Sequence, residues 1–270
     1  MKKSIWFIKA ETNLHVGNEN TSSVGLIDKE VQRDVLTGIP CINSSSLKGA
    51  MNEYATSVAK LSPGARVAIF GVDRGNEIKE TRKGHSLFFD AQLLLLPVQD
   101  DTKLYRLVTC KEVLYRYVSL LAKMGIKYPY EELVEALVKC SEGHFDKETG
   151  IVKCSRFEEY CSDDDLPVIA RNSQMGVGNL WYEQVVPHKS VFGTLLVYPP
   201  IIEVPIKDSS KSEDIKEPIE DTKAELANNK TETINMGEAI NKTFDKKIVQ
   251  IGANATIGYG YCSFIKVKEI

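Results

Sequence analysis

Two stretches of the chain carry residue types that hold phosphate. In Asn43-Ser44-Ser45-Ser46-Leu47-Lys48-Gly49, hydroxyls and a lysine stand where an apolar periodicity begins. Ser45, Ser46 and Lys48 would meet an anion at the positive end of a helix, and Gly49 would let a phosphate backbone approach closely. In Ile251-Gly252-Ala253-Asn254-Ala255-Thr256-Ile257-Gly258-Tyr259-Gly260-Tyr261, Gly252, Gly258 and Gly260 with Asn254 and Thr256 form a loop whose amides can cradle phosphate. Tyr259 and Tyr261 add rings on which a base can stack. Plainer readings fit the same residues: a Ser-capped helix with a solvated lysine, and a Gly-rich hairpin. Neither a dinucleotide fingerprint nor a Walker loop occurs. Ser45-x-x-Lys48 also matches one penicillin-recognising motif, but its two companion motifs are missing.

Three further groups have chemical potential. Asp28 lies in a polar segment, where a carboxylate can hold a divalent metal or move a proton. His15 closes the first apolar segment, a place equally suited to a packed histidine. Cys140, His144, Cys154 and Cys161 can be drawn as a zinc set, yet intervals of three, nine and six residues match no standard finger or ribbon.

The elements that must position these groups follow from periodicity. Residues 4 to 16 are aromatic and β-branched and predict a strand. Leu47, Ala50, Met51, Tyr54, Ala55, Val58 and Leu61 fall at helical spacing, with Ser45 or Ser46 as the expected N-cap and Ser62-Pro63-Gly64 as the stop. Residues 86 to 98 predict a strand buried on both faces. Two amphipathic helices follow, one on Val113, Leu114, Tyr117, Val118 and Leu121, the other on Leu133, Val134, Leu137 and Val138. Val191 to Tyr198 and Tyr259 to Val267 predict two more strands. The order argues for an α+β fold with an antiparallel sheet. Between Lys207 and Glu232 lie five lysines, eight acids and no aromatic residue, a composition expected to stay flexible or to order on a partner.

The 270 residues are 43% hydrophobic, enough for a substantial core. A net charge of -3 excludes a uniformly basic nucleic-acid coat, so any polyanion site must be local. The longest apolar run, Leu93 to Val98, is too short to span a bilayer, and no signal segment is evident. A cytoplasmic protein with no membrane partner and six reduced cysteines is expected.

Taken together, Leu14-His15-Val16-Gly17, Ser23-Val24-Gly25-Leu26-Ile27-Asp28 through Gln32-Arg33, Gly38-Ile39-Pro40, Ser45-Ser46-Leu47-Lys48-Gly49 and the Gly252 to Gly260 loop resemble the RAMP superfamily of CRISPR-associated RNA-binding proteins. Ile69-Phe70-Gly71, Phe89-Asp90-Ala91, Pro167 to Asn172 and Leu180-Trp181-Tyr182-Glu183 extend the resemblance to the repeated backbone subunit of the type III-B (Cmr) effector. The resemblance implies a ferredoxin-like (RRM-like) palm in a single domain over residues 1–270, with a protruding thumb. Its insertions would be a loop at about 61–85, a helical or irregular segment at 111–166 and a flexible or thumb segment at 205–247.

The partners so implied are guide (CRISPR) RNA, single-stranded target RNA, further copies of the chain in a filament and other Cmr subunits. The implied activity is divalent-metal-dependent target-RNA cleavage, with Mg²⁺ the expected ion. Asp28 corresponds to the family's catalytic, metal-associated aspartate and His15 to a histidine near it, counted with it as catalytic. Ser45, Ser46, Lys48, Gly49, Gly252, Asn254, Thr256, Gly258, Tyr259 and Gly260 would line the RNA. Two other readings remain open here: a cleavage-silent guide-binding subunit, and an endoribonuclease that processes the guide precursor.

Overall fold

A computed structural model describes residues 1–17, 27–72, 82–173, 179–205 and 231–270. The Ser23 to Leu26 part of the family resemblance and most of the acidic 207–232 tract lie outside the described residues.

In chain order the strands begin with β1 (Lys2–Ala10), β2 (Cys41–Ile42), β3 (Gly71–Val72), β4 (Arg82–Lys83) and β5 (Leu87–Phe88). They continue with β6 (Ala91–Val98), β7 (Arg106–Cys110), β8 (Ile151–Val152), β9 (Val168–Ser173) and β10 (Asn179–Gln184). Last come β11 (Val191–Tyr198), β12 (Ile201–Pro205), β13 (Thr231–Asn235), β14 (Ile248–Gln250) and β15 (Tyr261–Glu269). The helices are α1 (Ser44–Ser57), α2 (Pro63–Phe70), α3 (Lys111–Lys123), α4 (Tyr130–Cys140), α5 (Cys154–Tyr160) and α6 (Met236–Phe244).

The main sheet runs β14-β15-β1-β11-β6-β7-β8, with β2 and β5 attached beside it. All of these pairings are antiparallel except β7 with β8. The molecule is therefore α+β with a largely antiparallel sheet. β1 lies between β15 and β11, and Ile5, Trp6, Phe7 and Ile8 are buried on both of its faces. Alternation along β15 explains why both faces need cover. Phe264 packs toward Phe244 of α6, 6.1 Å between ring centroids, whereas Ile265 and Val267 line a hollow with Tyr128 and Ala136 of the α4 side. Phe244 also meets Tyr54 of α1 and Phe70 of α2, which locks three helices onto one face.

Several sequence expectations shift. The first strand ends at Ala10, because Leu14 to Val16 leave β1 and pair at Leu14 with Val186 instead. The 86 to 98 strand divides into β5 and β6, which pair with different parts of β11. Residues 63–70 of the expected 61–85 loop are α2. Pro63 is a start rather than a stop, since it occupies the first helical turn while the Ser62 hydroxyl accepts from the Ala65 amide. The end of the 205–247 segment is core: β13 pairs with β12, and Met236, Ile240 and Phe244 of α6 are buried. The hairpin of β9 and β10 has no counterpart among the predicted elements.

A bidentate ion pair ties the chain before β2 to α3. Arg116 Nη1 and Nη2 donate to Asp34 Oδ1 and Oδ2 at 2.9 and 2.6 Å, and the Thr37 amide and hydroxyl also donate to Oδ1. The guanidinium holds the Asp34 carboxyl at about 2, below its ordinary 3.8. A carboxylate whose folded value is depressed stabilises the fold above its unfolded value and loses that contribution as pH falls through the folded one. Denaturant unfolding at stepped pH should show Arg116→Met less stable than the parent at pH 7, with the difference shrinking from about pH 4 and gone near pH 2.

Candidate nucleic-acid interface

The Gly-rich loop joins β14 to β15, antiparallel with Gln250 opposite Tyr261, so it is a hairpin connection. A single 3₁₀ turn, Ala255–Ile257, forms its tip, with Asn254 and Gly258 left-handed on either side at φ 66 and 84°. Its outer glycines serve close packing. A Cβ at Gly252 would collide with the His15 carbonyl, and one at Gly260 with the Ile251 carbonyl. Gly252 and Gly260 take positive φ, as those approaches require. The Ala253 amide donates to the His15 carbonyl at 2.9 Å and the Gly260 amide to that of Asn13 at 2.9 Å.

The amides of Ile257, Gly258 and Tyr259 are used inside the loop. Those of Asn254, Ala255 and Thr256 have no hydrogen-bond acceptor among the described residues. Three successive amides at the start of a turn make a concavity suited to an anion. Ala255, Thr256, Ile257 and Gly258 are exposed, and space is open above Gly258.

A buried carboxylate anchors this loop. Glu183 of β10 is 1% exposed. Its Oε2 accepts from Asn254 Nδ2 at 2.7 Å and from Arg171 Nε at 3.2 Å. Arg171 of β9 stands opposite Trp181, so Glu183 is its diagonal neighbour across the hairpin. The Arg171 guanidinium also covers one face of the Tyr259 ring, 4.5 Å from its centroid. Tyr259 thus has a stacking partner inside the chain on that face.

His15 lies against the same carboxylate. Its Nε2 is 3.4 Å from Glu183 Oε1 and its Nδ1 is 2.7 Å from the Gln184 carbonyl oxygen. A carbonyl only accepts, so Nδ1 carries the proton there. The ring is 2% exposed and positions its neighbours rather than facing solvent.

Asp28 is exposed, on a segment that runs alongside β10. Its Oδ2 accepts from the Tyr182 amide at 2.7 Å, and its own amide donates to the Tyr182 carbonyl at 3.0 Å. Asp28 and His15 therefore hang from consecutive residues of one strand, one outside and one inside. Among the described residues, no three His, Cys, Asp or Glu side chains converge at Asp28. A lone carboxylate suits a Mg²⁺ ion that takes its remaining ligands from water and substrate phosphate, and does not suit a resident ion. Cys140, His144, Cys154 and Cys161 do not gather either: His144 stacks on Tyr105 at 5.2 Å, and no cluster of described donors contains those four.

The α1 terminus differs from expectation. Asn43 is the N-cap, and Ser45 and Ser46 lie within the first turn. The Asp90 carboxylate already accepts from the Ser44 amide at 2.6 Å, which puts a negative charge where an anion was expected. Ser46 Oγ faces inward and accepts from Gln32 Nε2 at 3.0 Å. Ser45 and Gly49 are exposed, Lys48 half-buried. Gln32 links this terminus to the loop side, since Nε2 also donates to the Gly17 carbonyl and Oε1 accepts from the Asn43 amide at 2.8 Å. The expected residues thus divide. Gly252, Asn254, Thr256, Gly258, Tyr259, Gly260 and His15 form one assembly, Ser46 joins it through Gln32, and Ser45, Lys48 and Gly49 flank it.

Sequence reasoning missed Glu183 and Arg171 as organisers of the site. The available signal was a charged residue on each of two short apolar segments, Ile169 to Arg171 and Trp181 to Glu183.

A family model described as the RAMP superfamily matches residues 7–263. The chain belongs to the RAMP superfamily. A superfamily relative from Pyrococcus furiosus, named CRISPR system Cmr endoribonuclease Cmr4, is 24% identical over 92% of this chain and 90% of its own length. The same RAMP fold occurs in oligomeric Cmr4 from Pyrococcus furiosus, with a TM-score of 0.62 and 20% identity over 100% of this chain and 99% of that one. It occurs also in a chain of the type III-B Cmr-beta complex bound to cognate target RNA, with a TM-score of 0.65 and 20% identity over 98% and 97%.

Removing the anchor should expose its role. Glu183→Ala leaves Arg171 and Asn254 without their buried acceptor, a loss of about 3–5 kcal/mol in folding free energy. Denaturant unfolding should read that loss. Hydrogen exchange should quicken at the Ala253 and Gly260 amides well beyond its change in β1.

Proposed function

We propose that the chain is the repeated guide-RNA-binding backbone subunit of a type III-B effector and that it cleaves complementary target RNA. The observation that carries this reading is the set of Asn254, Ala255 and Thr256 amides with no acceptor among the described residues, in a loop tied to Glu183, in a chain with a Cmr4 relative. Phosphate contacts of this kind fix register without reading sequence, which base pairing to the guide supplies. A chain of net charge -3 needs such a local site, because it lacks a general cationic surface. Ser45, Lys48 and the open face at Gly49 add a second contact beside the first, weakened at its amide end by Asp90. Tyr259 contributes its uncovered face. Copies of the chain, other Cmr subunits and the target strand are the remaining partners.

For cleavage, a target nucleotide splayed at the subunit boundary brings its 2′-oxygen into line with the adjacent phosphorus. The O2′–P bond forms as the P–O5′ bond breaks, leaving a 2′,3′-cyclic phosphate and a 5′-oxygen that takes its proton from solvent water. Asp28, anchored through Oδ2 at Tyr182, takes the hydroxyl proton at Oδ1. Positioning supplies much of the rate, so one carboxylate suffices for slow, site-specific cutting. A divalent ion shared between Asp28 and the RNA would supply charge stabilisation at the phosphate. His15 acts by holding the strand segment and the loop, and makes no contact with RNA.

Asp28→Ala in the reconstituted effector should abolish cleavage of complementary target while guide binding stays within about twofold of the parent. Cleavage at the parental rate would leave a purely structural subunit as the reading, and cutting of repeat RNA by the isolated chain would favour guide processing. Addition of EDTA should stop target cleavage and leave guide binding unchanged. Lys48→Ala should weaken guide binding and lower the slope of log affinity against log salt by about one phosphate contact.

A further inference from the structure

Where β7 runs into α3, donor side chains meet far from the RNA loop in sequence and use. Cys110 ends β7 and is the N-cap of α3, Glu112 lies in the first turn of α3, and Cys154 opens α5. The two Sγ atoms and a Glu112 carboxylate oxygen all lie within 4.8 Å of one another. Glu158, one turn further along α5, accepts from Cys154 Sγ at 3.4 Å. The topology enforces this meeting. β7 and β8 pair in parallel with Cys110 beside Val152, so Cys154 follows two residues on, and α5 packs against β7.

The geometry points to a site for one thiophilic divalent ion of the zinc class, bound by Cys110, Cys154, Glu112 and Glu158. Tetrahedral zinc holds sulfur at about 2.3 Å and carboxylate oxygen at about 2.0–2.2 Å, which places its ligands roughly 3.4–3.8 Å apart. The Cys110, Cys154 and Glu112 donors lie within 4.8 Å of one another, so small side-chain shifts would close them onto an ion, and Glu158 would join from beside Cys154. Two thiolates with two carboxylates favour zinc over the hard ions, which prefer all-oxygen shells. Cys110 is buried, Cys154 half-buried and Glu112 exposed, so the sulfurs form a floor and the carboxylates an entry. The bound ion would join the ends of the 111–166 insertion, whose α3 and α5 supply ligands on either side of β7. This set shares only Cys154 with the four residues picked out by spacing.

The test uses the full chain, reduced and stripped of metal. Co²⁺ should bind at one equivalent with a thiolate-to-cobalt absorption band in the near ultraviolet, and one equivalent of Zn²⁺ should displace it. Cys154→Ser should lose most of that band and bind Zn²⁺ at least about tenfold more weakly. The doubly substituted surface variant Glu112→Gln/Glu158→Gln, which leaves both sulfurs in place, should keep the band and weaken Zn²⁺ by a similar factor. Cys161→Ser should match the parent. Absence of the band in the reduced parent would overturn the proposal. So would unchanged Zn²⁺ affinity in Cys154→Ser, or loss of two titratable thiols to a Cys110–Cys154 disulfide without metal uptake.

Discussion

A single buried carboxylate organises the Gly-loop side of this molecule. Glu183 gathers an amide from the Gly loop, a guanidinium from the neighbouring strand and an imidazole from the segment after β1. A buried acid is tolerable only with such partners, because the cost of dehydrating it must be offset by charge and hydrogen bonds. The reverse also holds. Asn254 and Arg171 come from parts of the chain far apart in sequence, and their common acceptor makes their positions mutually dependent, with the His15 ring packed 3.4 Å from the same carboxylate. A loop tied in this way can present unpaired amides to a ligand without collapsing onto them.

The same logic separates the two phosphate sites that residue types alone rank as equals. Both have small residues, hydroxyls and free amides. At the α1 terminus the carboxylate of Asp90, 46 residues downstream, accepts from the Ser44 amide, and Gln32 donates to Ser46 Oγ. The terminus is therefore partly satisfied within the protein. At the Gly loop the Glu183 carboxylate is engaged from beneath by Asn254 Nδ2. Electrostatics thus favours an anion above the loop more than above the helix.

What could be read in the sequence was whatever depended on neighbours along the chain. Val191 to Tyr198 is a strand with the expected bounds because its apolar, β-branched and aromatic residues outweigh Gly193 and Thr194, and every residue is buried. The α1, α3 and α4 helices follow from spacing that puts Leu47, Leu114 and Leu137 on inward faces. The failures share one cause, which is dependence on distant partners. The α1 cap was misplaced because Asp90 caps from another element. α2 escaped notice because Pro63-Gly64 ends one helix and starts the next equally well, and only the Ser62 hydroxyl decides. Glu183 and Arg171 were invisible as a pair, since nothing local says that strands β9 and β10 face each other in this register.

That register lets one strand hold two acids in different surroundings. β10 holds each part of the site at a different residue: the Tyr182 backbone clamps Asp28, the Glu183 side chain holds the loop and His15, and the Gln184 carbonyl fixes the other nitrogen of His15. Successive side chains of a strand point to opposite faces. One short strand therefore holds an exposed carboxylate at its backbone edge through Tyr182 and a buried one on its own inward side chain, Glu183. Their separation makes different chemistry possible for two acids of the same kind, Asp28 free to meet a phosphate and Glu183 committed to the scaffold.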